Sequence, residues 1–213
     1  HQDAQTGVYV VSRHEHLLRV VRDPATFSSR YDMTALRPGG LPPAVAAVLA
    51  EGVRPADTLL TNDPPDHAAY RALVEGIFTA GRVAAMEAEI AAIADALLDR
   101  FAGEGEAEIV SAFCAPLPLM VIADALGLPR EAAPQIKAWS DAMSLIRGNL
   151  AAEPELLEAA RLVVDCQRRL LDLCAERRAA PRDDLVTGLA LARLDGGGRS
   201  LNDAELLSIL VQL

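Results

Sequence analysis

Between Glu155 and Arg178 the apolar residues Leu156, Leu157, Ala160, Val163, Val164, Leu170 and Leu173 recur at intervals of three and four. Only an α-helix gathers that spacing onto one face. From Arg82 to Phe101 the same period returns in Val83, Met86, Ile90, Ile93, Ala94, Leu97, Leu98 and Phe101, with Glu87, Glu89, Asp95, Asp99 and Arg100 at other positions. Helices with one apolar face are stable only when that face is covered, which commits the chain to a mainly α architecture. The covering material is aliphatic: 51% of residues are apolar but only 4% are aromatic.

Punctuation residues divide the rest. Gly103 and Gly105 end the 82–101 helix, and a short strand is expected at Ala107 to Val110. Pro116 and Pro118 make the next helix start late or bend, because proline lacks an amide donor, and Gly127-Leu128-Pro129 ends it. A helix is expected from Gln135 to Arg147, set off from the 155–178 helix by Gly148 to Ala152. Arg168, Arg169, Arg177 and Arg178 crowd the C-terminal half of the latter, where cations complement the helix dipole. Asp195 to Arg199 is a flexible turn; its three glycines precede no helix-borne Lys and make no phosphate loop. Asn202 caps the last helix, with Glu205 completing a capping box. The stretch from Arg30 to Leu60 is turn-rich apart from a helix at Pro43 to Glu51, and long irregular stretches in compact domains are usually functional or mobile.

Charge and cysteine usage exclude several classes. Twenty Lys and Arg against thirty Asp and Glu give a formal charge of −10, which argues against a nucleic-acid partner and against an anionic membrane surface. No apolar run is long enough to span a bilayer. Cys114, Cys166 and Cys174 lack metal-type spacing, and so few, odd in number, fit a reducing, cytoplasmic setting. Each reads as a small core residue, and His14 and His16, two apart, read as surface.

The segment richest in chemistry is Thr61-Asn-Asp-Pro-Pro-Asp-His-Ala-Ala-Tyr-Arg-Ala-Leu-Val-Glu-Gly-Ile-Phe-Thr79. Asp63 suits an N-cap and Pro64 a first helical position. Asp66 then complements the dipole, and His67 and Arg71 fall four apart on one face, where they can offer two donors to an anion. By themselves such pairs are usually a solvated face.

Taken with what surrounds it, this segment resembles the front half of a bacterial cytochrome P-450, and the resemblance covers nearly all 213 residues. Gly7 to Arg13, His14 to Asp23 and Phe27-Ser28-Ser29 look like that family's first strand, second helix and following loop. Phe113 to Pro129 is similar to its fifth helix and Leu-Gly-x-Pro exit. Pro181 to Val186 looks like the entry to its eighth helix, and Leu201 to Leu213 like the start of its long central helix. The resemblance implies a partial cytochrome P-450 fold, helix-rich with a short N-terminal β element, in which residues 1–213 are the N-terminal part of a single domain. His67 and Arg71 inherit the role of binding the propionates of haem b. The iron would be ligated by a Cys beyond residue 213, since none of the three present lies in the family's ligand loop. Leu59 and Leu60, Met143, Ser144 and Ile146, and the apolar Ile209 to Leu213 would approach the distal pocket, with Arg147 the basic residue at their edge. Arg37 or Arg54 of the 30–60 stretch, which roofs the active site in this family, would be the suspect if acidic ligands bound.

The function so implied is a haem-thiolate monooxygenase hydroxylating a small hydrophobic substrate with dioxygen and electrons from a ferredoxin-type or flavodoxin-type donor. The alternative is a truncated or degenerate all-α binding scaffold that holds no haem. The chain stops at Leu213 within an apolar run, without Gly, Asn or Pro. We therefore expect the complete protein to continue past it, and the Leu206–Leu213 tail to be exposed and prone to aggregation in the piece alone.

Overall fold

The computed structural model describes residues 2–4, 7–31, 40–148, 151–194 and 198–213. Arg37 and residues 195–197 of the glycine turn lie outside the described residues. Among the described residues ten α-helices follow in order: α1 (His14–Arg22), α2 (Pro43–Leu49), α3 (Asp66–Ile77), α4 (Ala80–Ala85), α5 (Glu87–Leu98), α6 (Pro116–Ala125), α7 (Ala133–Arg147), α8 (Glu153–Ala179), α9 (Leu185–Ala190) and α10 (Asp203–Gln212). The β element is reduced to an isolated antiparallel bridge between Gln2 and Tyr9; a second joins Arg193 to Ser200.

α8 is the hub. Its periodic face packs on α2, α7, α9 and α10. Leu156, Ala160, Val164, Leu170 and Leu173 are all buried, as the spacing requires. The main core gathers Tyr70, Ala123, Leu126, Trp139, Leu170, Leu173, Leu189, Leu206 and Ile209 from six helices and their ends. A smaller core of Val45, Ala142, Ile146, Leu156, Ala159 and Ala160 lies where α2 and α7 meet the start of α8. α1 by contrast buries no residue.

Several expectations fail, each for a local reason. The 82–101 helix is two helices broken at Met86. Thr79 caps α4 by accepting from the Arg82 amide at 3.3 Å, and Arg82 reaches across to Asp183. Val83 is left exposed, so a single stripe read from sequence is divided between two rods. Ala107 to Val110 is not a strand. The Glu108 carboxylate accepts from the amides of Val110 (3.0 Å) and Ser111 (2.8 Å), so this segment feeds a π-helical turn at Val110–Cys114. Cys114 is exposed rather than core, whereas Cys166 and Cys174 are buried as expected. The Leu206–Leu213 run is not exposed either: Leu206, Leu207, Ile209 and Leu210 are packed into the core, and only Leu213 is open to solvent.

Arg177 does more than complement the helix dipole. It is 1% exposed and donates through Nε to Asp184 and through Nη2 to the Gly127 carbonyl (3.1 Å), tying the ends of α6 and α8 to the start of α9. Gly127 has φ +65°, and a Cβ there would fall 2.4 Å from Asp184 Oδ2 and 2.8 Å from Arg177 Nη2. Glycine is therefore required twice over, for its conformation and for the close approach.

Candidate functional site: the 56–71 segment against the central helix

The helix bearing His67 and Arg71 begins at Asp66, later than the sequence suggests. Asp63 does not cap it with its side chain. That carboxylate instead accepts from Ser28 Oγ (2.5 Å) and the Ser29 amide (2.7 Å), which hold it below the usual Asp range, the Ser28 hydroxyl contributing most. Only the Asp63 carbonyl serves the helix, accepting from the His67 amide at 3.0 Å. Asp63 thus ties the stretch after α1 to the front of α3. Arg30 reinforces the junction by donating to Asn62 Oδ1 (2.9 and 3.2 Å) and Asp66 (3.2 Å).

α3 has two working faces. On the solvent side His67 is half-buried and Arg71 exposed, four residues apart as expected. Glu75, one turn on, accepts from Arg71 Nε at 2.7 Å. That ion pair uses Nε and neither Nη nitrogen, so the guanidinium is oriented while keeping donors for a carboxylate ligand. The donor set fits the propionates of a haem: one imidazole and one guanidinium, side by side and accessible.

The other face of α3 is anchored inward by Tyr70, 8% exposed, whose hydroxyl donates to Glu205 Oε1 of α10 at 2.6 Å. Glu205 also accepts from Arg199 (2.7 and 2.5 Å) and from the Asn202 amide (2.9 Å), completing the anticipated capping box. The Arg199 guanidinium holds the Glu205 carboxyl down at about 2 against the opposing effect of burial, with Tyr70 and Asn202 adding to it. Burial, then the carboxylate beside it, pushes the Tyr70 phenol up to about 12. Sequence reading found Glu205 as a cap but missed Tyr70, because nothing local links residues 135 positions apart.

The remaining expected contacts divide into two groups. Met143 and Ser144 line a cavity of about 580 Å³ together with Trp139, Arg147, Leu210 and Gln212, as well as apolar residues of α6. Ile146 does not join them; it is 9% exposed in the smaller core, because α7 turns that face to Val45 and Leu156. Leu59 and Leu60 lie outside the cavity lining. Leu59 packs on the main core and Leu60 is 52% exposed. Their backbone is nonetheless attached to the cavity wall: Gln212 Oε1 accepts from both amides, at 3.1 and 3.2 Å. Neither buried cysteine suits a metal thiolate. Burial, with Asp165 nearby, pushes Cys166 up to about 12, and burial pushes Cys174 up to about 11. Among the described residues no cluster of His, Cys, Asp and Glu could hold a metal ion, and no helix is long and apolar enough to cross a membrane.

No protein-family profile matches the chain. Curated proteins do. The chain is 36% identical over 202 residues to the erythromycin C-12 hydroxylase of Saccharopolyspora erythraea, covering 93% of the chain and 46% of that relative. It is 33% identical over 201 residues to the cyclomarin C epoxidase CymV of Salinispora arenicola, covering 92% of the chain and 47% of the relative. Among solved structures, a mutant of P450 EryK in complex with erythromycin B superimposes with a TM-score of 0.72 at 30% identity, over 99% of the chain and 49% of that structure. The helical body has part of the fold of a cytochrome P450. The chain belongs to the bacterial members of that family, and it spans about half the length of the curated relatives it matches.

Proposed function

We propose that the complete protein is a haem-thiolate monooxygenase that hydroxylates a small hydrophobic substrate with dioxygen, in the cytoplasm, fed by a ferredoxin-type or flavodoxin-type electron donor. The observation that carries this is the likeness to a curated hydroxylase and a curated epoxidase along more than nine-tenths of the chain. His67 and Arg71 would hold the propionates of haem b, and the iron would take its thiolate from a Cys beyond residue 213. The haem supplies the oxygen chemistry when bound, with thiolate donation favouring O–O cleavage. This chain's residues supply placement. Arg71, oriented by Glu75, binds a carboxylate edge; His67 adds a second donor; Tyr70 fixes the helix that carries both.

Met143 and Ser144 would border the substrate from the cavity lining, and Leu59 and Leu60, outside that lining, from the segment tied to its wall through Gln212. The cavity around Met143 is mostly aliphatic, with Ser144, Arg147 and Gln212 among its polar points. Such a lining rewards apolar area at roughly 25 cal/mol per Å² and orients a ligand through a few polar groups. A compact neutral hydrophobe therefore fits better than a charged metabolite.

The test is haem retention by the complete protein, measured as the rate of haem transfer to an apo-globin acceptor. A charge-assisted hydrogen bond is worth about 1.5–3 kcal/mol, and the partly solvated setting favours the lower end, roughly a tenfold effect. Arg71→Ala should release haem faster than His67→Ala, because a guanidinium can grip a carboxylate with two parallel bonds. Unchanged retention in the double variant would return both residues to a solvated surface.

A further inference from the structure

Glu205, Ser208 and Gln212 occupy successive turns of one face of α10. All three accept from the 56–70 stretch of chain. Glu205 takes the Tyr70 hydroxyl, and Ser208 Oγ accepts from the Ala56 amide at 2.8 Å. Gln212 Oε1 accepts three times, from Thr58 Oγ1 (3.1 Å) and from the amides of Leu59 (3.1 Å) and Leu60 (3.2 Å). Thr58 is fully buried. Residues 56–60 belong to no helix or strand, so their amides need partners from outside the segment. One carbonyl oxygen meeting three consecutive residues replaces the ladder they lack. Gln212 also lines the 580 Å³ cavity beside Met143 and Ser144. It is thus the point at which the two separated groups of substrate-contact candidates are joined.

We infer that Gln212 is a positioning residue that sets which ligands the pocket admits: by holding Thr58–Leu60 to the central helix it fixes where Leu59 and Leu60 stand relative to the Met143–Ser144 wall, with Ser208 as a second tether. The selectivity part rests on the function proposed above, while the tether does not. Gln212→Glu keeps an acceptor at the same place, whereas Gln212→Leu keeps the bulk and leaves three donors unserved.

The experiment uses the complete, haem-loaded protein and two readouts. Amide hydrogen exchange at Leu59 and Leu60 reports the tether directly. Binding of n-alkylimidazoles of increasing chain length, followed by the Soret shift, reports the pocket. Loss of one net hydrogen bond's worth of protection corresponds to about a fivefold to tenfold change. Gln212→Leu should therefore exchange both amides at least that much faster and change the dependence of affinity on chain length, while Gln212→Glu, which keeps the acceptor, matches the parent in exchange at Leu59 and Leu60. Ser208→Ala, a milder change, should speed exchange at Ala56. Equal exchange in Gln212→Leu and the parent would overturn the tether. Faster exchange with an unchanged chain-length preference would overturn the selectivity role. If no preparation binds haem, the proposed function fails, and the exchange contrast between the Glu and Leu variants still decides whether Gln212 holds the segment.

Discussion

Arg177 and Glu205 are both charged groups taken out of water on helices, and their surroundings differ in one respect. Arg177 is closed in on both sides, its side chain 2% exposed and that of its partner Asp184 6%. Glu205 is 5% exposed, but the guanidinium of its partner Arg199 is 59% exposed. The first cluster joins the ends of α6 and α8 to α9 and touches none of the expected site residues. The second joins the helix carrying His67 and Arg71 to α10. A closed pair acts as a staple whose removal strands a charge. A half-open pair keeps its cation in water, so its contribution is smaller. The site-bearing junction of this molecule is built on the second kind.

The sharpest way to break the comparison is Arg177→Met. It leaves Asp184 buried without its cation, and breaking a buried pair from one side costs about 3–5 kcal/mol. Asp184 sits below the usual Asp range because, although burial raises it, the Arg177 guanidinium and the Thr187 amide and hydroxyl together outweigh burial. Urea unfolding of the complete protein should show the loss. Adding Asp184→Leu should restore most of it, short of the α9 cap that Asp184 gives to the Thr187 amide (2.8 Å). A single variant within about 1 kcal/mol of the parent would remove the distinction between the two clusters.

Breaking the open cluster should matter less. Tyr70→Phe removes a hydrogen bond to a carboxylate, worth about 1.5–3 kcal/mol, and the lower end applies because Glu205 keeps Arg199 and Asn202. The loss should appear in urea unfolding and be accompanied by faster haem release, since α3 loses its inward anchor. A Tyr70→Phe loss equal to that of Arg177→Met would contradict the ordering.

How far these two clusters could be read beforehand follows from the distances in sequence. α8 and α10 were legible because their apolar period and the Asn202–Glu205 box are local signals, and the structure places both helices within a few residues of expectation. His67 and Arg71 were legible as a pair because helical spacing alone puts them together. Arg177 was read only as one of the cations complementing the helix dipole, since its partner Asp184 lies beyond a helix end and only tertiary packing encloses the pair. Tyr70 and Gln212 were illegible as anchors because their partners are 135 and more than 150 residues distant. Asp63 misled because the same side chain that suits an N-cap also suits two serine donors from an earlier stretch, and the latter won.

The smallest effect, and the cleanest separation of the clusters, is expected from alkaline pH. On the acid side both lose stability in the same direction: Glu205 and Asp184 have lowered pKa values when folded, so each contributes fully above the ordinary carboxylate range. Glu205's share is lost as pH falls through about 2. Acid therefore does not tell the clusters apart. Tyr70 does, because its folded value is raised from 10.0 to about 12. A raised value means the contribution is fully present below 10 and is lost as pH rises through about 12. Asp184 is already ionised there and stays so. The difference in urea midpoint between the parent and Tyr70→Phe should thus be constant from about pH 7 to 9 and shrink near pH 11. The variant's phenyl ring has no proton to lose, and the exposed groups cancel between the two proteins. Over the same range the difference between the parent and Arg177→Met should stay flat. A Tyr70→Phe difference that is equally flat through about pH 11 would mean that the phenol is not held by Glu205, and α10 would then be tied by Gln212 and Ser208 to the 56–60 stretch ahead of α3 rather than to α3 itself.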